Sequence, residues 1–562
     1  MVKNSAEDIL SGLDEKQQVA AKSLVGPTCI LAGAGTGKTR TVTHRIAYGI
    51  ATGQFAANRV LALTYTNRAA GELRSRLRGL GVGQISVRTF HAAALSQLEY
   101  FWPQLVGVPA PSILDSKAKL ITQVAKTMSI NLDSAAMRDL ASEIEWRKYS
   151  MLSMEEYSLL AESRPKVAGL SFQKNLEIQL GYEEQKIKAQ KLDWEDVLVL
   201  TLGLLKAEPR ALAHVQSQFR FFTVDEYQDI SPLQHALLDQ WLGEHAELCV
   251  VGDPNQTIYS FTGASSEFLR NFSDRFPGAN VIDLTTNYRS TKQIVGFANK
   301  LTSDSVLGGS LESAGATGIL PSVAKFDTSA EESKAVAKAI REAIQAGISE
   351  SEIAVLYRIN NQSEQFERTL NELGITYQLR GGERFFSRPE IKTAVQLIRA
   401  ESLSPSGKPL HQAVSDIVRS LGWQQQRPTE QGAVASKWEA LNSLLAMLDE
   451  LPEGAGIKDF ALEIADRVHS QHEPIKQAVT LSTIHAAKGL EWQLVFIVGL
   501  NEGYLPITYA KTDAAIQEEK RLLYVGITRA KRELRLSFVD QDAGRAREPS
   551  RFLNLLRSSL AK

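Results

Sequence analysis

Cysteine is almost absent: the 562 residues contain two, Cys29 and Cys249. Each sits in a short apolar run, TCIL at 28–31 and LCVV at 248–251, that reads as a buried strand carrying a packed thiol. No Cys/His cluster is available to complete a four-ligand site, so structural zinc is excluded from the expectations, and reduced thiols point to the cytoplasm. No run approaches the roughly 18–20 apolar residues of a membrane span. The opening Met1–Gly12 is polar with mixed charge, unlike a signal peptide, and no membrane partner is expected. Excess charge is lacking too: 63 Lys+Arg against 64 Asp+Glu leave a net charge of −1. That argues against a surface coated in basic charge and leaves room for a local groove. Arg68, Arg74, Arg76 and Arg78 are one candidate cluster, although their spacing also suits a solvated helix face. Internal repeats with a period of roughly 20–50 residues are missing as well.

What is present is alternation. The length suggests roughly three to four domains. Short β-branched runs recur at 28–31, 60–64, 221–224 and 248–251, and again at 353–356, 479–481, 494–498 and 534–538, each followed by a loop and a helical pattern. Such runs predict buried parallel strands and two α/β lobes. The alternation breaks twice. Ala92–Lys191 has Leu, Ala, Glu, Lys and Gln at helical spacing and no convincing strand. Residues 400–474 contain modest helical patterns between the loop signals SPSGKP (403–408), QQQRPTEQG (424–432) and LPEGAG (451–456). The expected organisation is a first lobe at 1–91 and 192–280 with a helical insertion at 92–191. A second lobe follows at 281–399 and 475–562, with a smaller helical insertion at 400–474.

One pattern has direct chemical meaning. AGAGTGKT, comprising Ala32, Gly33, Ala34, Gly35, Thr36, Gly37, Lys38 and Thr39, follows a predicted strand and opens a helical run that begins with Arg40. In that context it is a phosphate-binding loop. Its glycines let backbone N–H groups turn inward around phosphate oxygens, and the helix N-terminus adds partial positive charge. Lys38 is expected at the β/γ-phosphates of ATP and Thr39 at Mg²⁺. The run FFTVDEYQD (221–229) supplies the acids: Asp225 to hold Mg²⁺ through its water shell, and Glu226 to polarise the attacking water. Adjacent acids at a strand end are also found in plain surface turns; the phosphate loop gives this pair its meaning.

With these motifs in hand, the chain resembles the superfamily 1 DNA helicases of the UvrD/Rep/PcrA group, in order and over most of its length. The resemblance implies two RecA-like P-loop lobes. In LDEKQ (13–17), Gln17 is implied to read adenine, with Asp14 where Asn is more frequent. LALTYTNRAA (61–70) resembles motif Ia and places Thr64, Tyr65 and Asn67 at DNA; RTFHA (88–92) resembles motif Ib and places Thr89 and His91 there. VVGDPNQTIYSFTGA (250–264) resembles motif III, with Gln256 sensing the γ-phosphate and Tyr259 and Phe261 facing bases. Thr262 stands where an arginine is frequent, and a polar link between ATP site and DNA is thereby in question. TTNYRS (285–290) resembles motif IV, with Tyr288 stacking on adenine and Arg289 as an arginine finger. The segments at 353–363 and 381–392 also match. VTLSTIHAAKGLEW (479–492) resembles motif V, with His485 and Lys488 near DNA and Glu491 at the ribose. EEKRLLYVGITRAK (518–531) resembles motif VI, with Arg529 as a second finger.

The activity so implied is ATP-driven 3′→5′ movement on single-stranded DNA, with ss/ds junctions and an accessory loading protein as partners, in repair or replication. The stretch from Glu390 to Val479 is short for the group, and the chain ends soon after motif VI, as in a shorter actinobacterial branch without an HRDC-like domain. Strand separation is therefore expected to be weak without a partner. Two alternatives stay open: a translocase that strips proteins from DNA and unwinds poorly, and a P-loop ATPase indifferent to DNA. Protein displacement against unwinding separates the first, and stimulation of hydrolysis by single strands separates the second.

Overall fold

Residues 5–83, 85–161, 164, 167, 169–303, 309–380, 386, 389–426, 433–451, 454–470, 477–542 and 544–557 are described by a computed structural model. The chain divides into two units, Met1–Thr285 with Ser305–Gly309, and Thr286–Asp304 with Ser310–Lys562. Parts of the segments 381–392, 424–432 and 451–456 lie outside the described residues.

The strands of the first unit are β1 (Thr28–Ala32), β2 (Val60–Thr64), β3 (Ser86–Thr89), β4 (Ser112–Ile113), β5 (Lys191–Leu192), β6 (Phe221–Val224), β7 (Leu248–Gly252) and β8 (Asn280–Leu284). Six of them form one sheet in the order β3-β2-β6-β7-β1-β8, with every pairing parallel. Its inner strands are buried on both faces, which is why they are continuous apolar runs. Cys29, Leu31, Leu61, Leu63, Val224 and Val250 pack on one face, and Ile30, Ala32, Val60, Ala62, Cys249 and Val251 on the other. The two buried thiols therefore lie on opposite sides of the sheet, and burial pushes Cys29 up to about 12, where it is an inert packing group.

The helical insertion has its own core, which includes Ile121, Leu140, Ile144, Ile178 and Tyr182. One detail differs from expectation: β4, inside the segment read as strandless, pairs in parallel with β5. Two residues are too few for an apolar run to signal a strand. Buried charges tie this insertion to the helix Trp194–Ala207. Lys148 Nζ lies 2.6 Å from Asp193 Oδ2 and 2.7 Å from Asp196 Oδ1, and Lys186 Nζ lies 3.0 Å from Asp193 Oδ2.

The strands of the second unit are β9 (Thr286–Asn287), β10 (Glu312–Ser313), β11 (Ser322–Thr328), β12 (Ile353–Tyr357), β13 (Tyr377–Arg380), β14 (Val479–Thr483), β15 (Trp492–Ile497), β16 (Ala530–Asp542) and β17 (Arg545–Ala546). Six run in parallel in the order β11-β16-β15-β12-β14-β13, and β17 returns antiparallel along β16. Two boundaries shift. Residues 281–284, expected to open the second lobe, belong to β8 and pair with β1, so the first unit continues to Thr285. The helix Pro389–Leu403, expected mainly within the second lobe, packs Ile391, Ala394 and Ile398 into a separate helical core with Val414, Leu441 and Phe460.

Candidate nucleotide site and nucleic-acid platform

In a parallel sheet, loops at the carboxyl ends of neighbouring strands lie side by side, and ligands bind there. The phosphate loop leaves β1, the segment 253–264 leaves the adjacent β7, and Asp225-Glu226 leaves the next strand, β6. Thr64-Tyr65 follows as β2 ends, and Thr89 ends β3. The candidate ATP and DNA residues of the first unit therefore share one sheet edge, nucleotide residues at its centre and DNA residues to one side.

The phosphate loop is held from below and opens above. Gly35 and Gly37 adopt φ of 71° and 82°, a left-handed backbone that glycine takes without a side-chain penalty. Gln17 is buried: its Nε2 donates to the Thr36 carbonyl (2.9 Å) and its Oε1 accepts from the Asp14 N–H (3.3 Å), which leaves one amide N–H for a further acceptor. A Cβ on Gly37 would meet Gln17 Nε2 at 2.8 Å. The residue expected to read adenine also braces the loop. Asp14, the departure from Asn, accepts from the Gln17 N–H and completes the helix cap. Lys38 begins the helix Lys38–Ala51, and its Nζ is buried with no hydrogen-bond partner in the structure. A buried ammonium without an acceptor is costly. Phosphate oxygens over the loop are the acceptors that would relieve it, so the residues present fit a bound triphosphate. Thr39 follows half-buried, and Arg40 is exposed.

Asp225 is buried, and its carboxyl is pushed up to about 7, first by burial and then by the neighbouring Glu226, against the pull of Lys38. An acid held this way is relieved by a cation, which fits a Mg²⁺ bound with one protein carboxylate, Thr39 and phosphate oxygens. The same shift has a stability consequence. A raised carboxyl contributes stability that is complete below pH ~4, its unfolded value, and lost as pH rises through 7. Asp225→Asn is therefore expected to raise the melting temperature of the magnesium-free, nucleotide-free protein by a few degrees at pH 8 and by less at pH 5. A thermal-melt gain that is equal or larger at pH 5 contradicts this.

Glu226 has a left-handed backbone, φ 53° and ψ 42°, strained for a residue with a side chain by about 1 kcal/mol or more. Its N–H donates to Asp225 Oδ1 (2.9 Å), and its Oε2 accepts from Gln228 Nε2 (2.5 Å). Gln256 Nε2 donates to Asp253 Oδ2 (2.7 Å), which fixes its amide at the start of the motif III-like segment.

That segment continues into aromatic rings. Tyr259 stacks on Tyr65 with centroids 5.5 Å apart and meets Phe261 nearly edge-on at 6.1 Å. Phe261 is exposed, whereas Tyr65 lies mostly buried, its hydroxyl pushed up to about 12 by burial and hydrogen-bonded with Thr262. Thr262 Oγ1 also donates to the Tyr259 carbonyl (2.8 Å), so the residue in place of arginine closes the turn locally. Thr64 and Thr89 direct their hydroxyls to backbone: Thr64 donates to the Thr66 carbonyl, and Thr89 caps the helix Phe90–Val106. Asn67 opens the helix Asn67–Gly79. His91 sits inside the wall of the platform, 3.1 Å from the Tyr149 hydroxyl, with Tyr149 and Trp194 packed at right angles to its ring. Burial pulls it down to about 4, so it is neutral at pH 7. Trp194 was not legible as a site residue. It stands half-exposed at the first turn of its helix, behind the Asp193 cap. A large aromatic directly after the capping residue Asp193, in the run DWED, was the available signal.

In the second unit, the turn Asn287–Ser290 is set by Asn287 Oδ1, which accepts from the N–H groups of Arg289 and Ser290. Arg289 Nε donates to Glu491 Oε2 (2.5 Å) and its Nη1 to the Thr528 carbonyl (3.1 Å). Glu491, expected at a ribose, thus engages Arg289 and, at 3.3 Å, Lys531; these cations hold its carboxyl below the usual range despite partial burial. Arg529 is buried, donating to the Val525 and Leu490 carbonyls and the Thr528 hydroxyl. Tyr288 is exposed. Burial, with Arg358 and Lys488 nearby, pulls His485 down to about 3. The loop 484–491 runs from the carboxyl end of β14 to the amino end of β15, and so joins His485 and Lys488 to Glu491.

A glycine-rich loop off an inner strand of a parallel sheet, a buried lysine and an acid pair two strands away define the P-loop nucleoside triphosphatase class. Residues 13–277 match the UvrD/REP helicase N-terminal domain, and residues 282–431 and 408–541 match the UvrD-like helicase C-terminal domain. The chain belongs to the UvrD/Rep helicase family. It is 42% identical to the ATP-dependent DNA helicase UvrD2 of Mycobacterium tuberculosis, over 98% of this chain and 82% of the relative. It is 31% identical to the ATP-dependent DNA helicase PcrA of Bacillus subtilis (95% and 83%) and 28% identical to PcrA of Leuconostoc citreum (98% and 85%). Among the described residues, no helix is long and apolar enough to cross a membrane.

Proposed function

We propose that this protein is an ATP-dependent DNA helicase that translocates 3′→5′ along single strands in the cytoplasm, loading at ss/ds junctions with help from an accessory protein. The observation that carries the reading is the shared sheet edge. One segment, 253–264, begins at the Glu226 network and ends in the Tyr65–Tyr259–Phe261 rings.

In this reading Lys38 binds the β/γ-phosphates, and Gln256 responds to the γ-phosphate. Glu226 orients the attacking water and accepts its proton, and Arg289 and Arg529 offset charge that spreads over the γ-phosphoryl oxygens. Magnesium held by Thr39 and Asp225 would neutralise phosphate charge. Tyr288 stacks on adenine, Gln17 pairs with the adenine edge while bracing the loop, and Glu491 contacts the ribose and presents Arg289. Phe261, Tyr259 and Trp194 hold bases by stacking worth ~1–3 kcal/mol each. Tyr65 supports Tyr259, His485 and Lys488 contact the strand, and Thr64, Asn67, Thr89 and His91 shape the wall. Loss of the γ-phosphate contacts on hydrolysis supplies the difference between states that a motor needs.

The test is steady-state ATP turnover with and without oligo(dT), followed by unwinding of tailed duplexes. Strong stimulation by the single strand and a preference for 3′ tails are expected. Turnover indifferent to DNA refutes the reading, and a preference for 5′ tails refutes the direction.

A further inference from the structure

Gln228 has no assigned part in the chemistry above, yet it is completely buried among the residues that do. Its Nε2 donates to Glu226 Oε2 at 2.5 Å and to Asp229 Oδ2 at 3.3 Å. Its Oε1 accepts the Asp253 N–H at 3.0 Å. Asp253 in turn holds Gln256 Nε2 through Oδ2 and the Asn255 N–H through Oδ1. One amide therefore joins the loop after β6 to the loop after β7. A second strap runs beside it, the Ser265 N–H to the Ile230 carbonyl at 3.1 Å.

The neighbours are shaped around this amide. Tyr227, the preceding residue, is buried against Phe272, which fixes the backbone of the turn Tyr227–Asp229. Across from it, a Cβ on Gly252 would meet Gln228 Oε1 at 2.5 Å. A side chain there would press on the amide and, at 2.9 Å, on Leu269 Cδ2. A glutamine amide suits the position because it offers a donor toward a carboxylate and an acceptor toward an N–H; glutamate lacks the donor and leucine lacks both.

We infer that Gln228 is a positioning residue that sets the Glu226 carboxylate and couples it to the segment leading to Tyr259 and Phe261, so that DNA on the rings influences hydrolysis through it. The inference rests on the reading of Glu226 as the group that orients water. Movement of Gln256, three residues along the chain from Tyr259, reaches Asp253, then the Gln228 amide, then the carboxylate, through hydrogen bonds in a single unit. Misplacing a catalytic group by about 1 Å can lower a rate ~10²-fold without weakening substrate binding.

The experiment measures kcat and KM for ATP, with and without oligo(dT), in the full chain carrying Gln228→Leu, Gln228→Glu or Gly252→Ala, with thermal melts to establish folding. In the presence of DNA, kcat is expected to fall ~10²-fold in each variant, with KM for ATP within about threefold of wild type. The ratio of stimulated to basal turnover is expected to collapse toward one. Gly252→Ala extends the test to a residue that displaces the amide without removing it. If Gln228→Leu does not fold, the near-isosteric Gln228→Glu provides the same readout. A folded variant with kcat near wild type, or one in which KM rises as kcat falls, overturns the positioning role. Equal loss of basal and stimulated turnover overturns the coupling. Wild-type turnover that ignores DNA would instead overturn the functional reading, so the two failures are distinguishable.

Discussion

Lys38→Ala is expected to lower DNA-stimulated ATP turnover on the order of 10³-fold, the effect of removing a preorganised charge from a transferring phosphoryl group. The argument begins with the side chain's surroundings. Its ammonium is buried, lacks a hydrogen-bond acceptor in the structure, and lies close enough to Asp225 to oppose that carboxyl's rise. The nearby carboxylate offsets its charge without accepting a hydrogen bond from it, which leaves its N–H groups to phosphate oxygens. Because the removed charge lacks a hydrogen-bond acceptor but offsets Asp225, the two effects oppose and the melting temperature is expected to stay near wild type. Binding of oligo(dT) in the absence of nucleotide should stay within about threefold of wild type, because the stacked rings belong to other strands. Turnover, melting temperature and fluorescence anisotropy of labelled DNA form the set of measurements. Turnover within tenfold of wild type would contradict the assignment of this loop as the phosphate site.

Arg289→Ala is expected to lower turnover by ~10³-fold or more, in the range for loss of an arginine finger. Arg289 is the cleaner of the two guanidinium tests. Glu491 and the Thr528 carbonyl hold its Nε and Nη1. Those contacts restrict a flexible side chain in advance and lessen the ordering cost at the moment of transfer. Arg529, by contrast, is buried and donates to two carbonyls and a hydroxyl of its own unit. Its truncation would strand those acceptors and cost stability along with rate, and a loss of activity would have two explanations. For Arg289→Ala the melting temperature should shift by only a few degrees, while kcat collapses and KM for ATP changes by less than about tenfold. Arg289→Lys should recover little, because a lysine lacks the planar fork that matches phosphoryl oxygens. A kcat within threefold of wild type for Arg289→Ala would remove the finger from the mechanism.

The legible and illegible parts of the fold divide by solvent exposure. All eight β-branched runs picked out in the sequence are strands, and all eight are inner strands of the two large sheets. In the six-strand orders of the two large sheets, the strands passed over are β3, β8, β11 and β13, which stand at the four ends; the two-residue strands were passed over as well. An edge strand needs apolar cover on only part of its surface, so Asn280–Leu284 is mostly exposed up to Leu284 and Ser322–Thr328 mixes exposed with half-buried residues. The boundary after Thr285 shifted for the same reason. In the site, residues whose chemistry is local were legible: the glycines, Lys38 and the acids each follow directly from a strand. Residues whose part depends on distant neighbours were not. Gln228 reads as one polar residue in a turn until Asp253 is found against it, and Trp194 reads as core until its exposure beside His91 is seen.

By itself the sequence determined two parallel-sheet lobes, a phosphate loop with its acids, and the order of the motifs along the chain, because each depends on a few adjacent residues and on burial of an apolar run. Tertiary structure alone decided what the side chains engage: Gln17 under the loop, Tyr65 under Tyr259, Arg289 on Glu491, Arg529 in the interior. Hydrogen bonds and ring contacts form between groups brought together by sheet order, and the order β3-β2-β6-β7-β1-β8 is a property of the folded chain that adjacent residues do not specify.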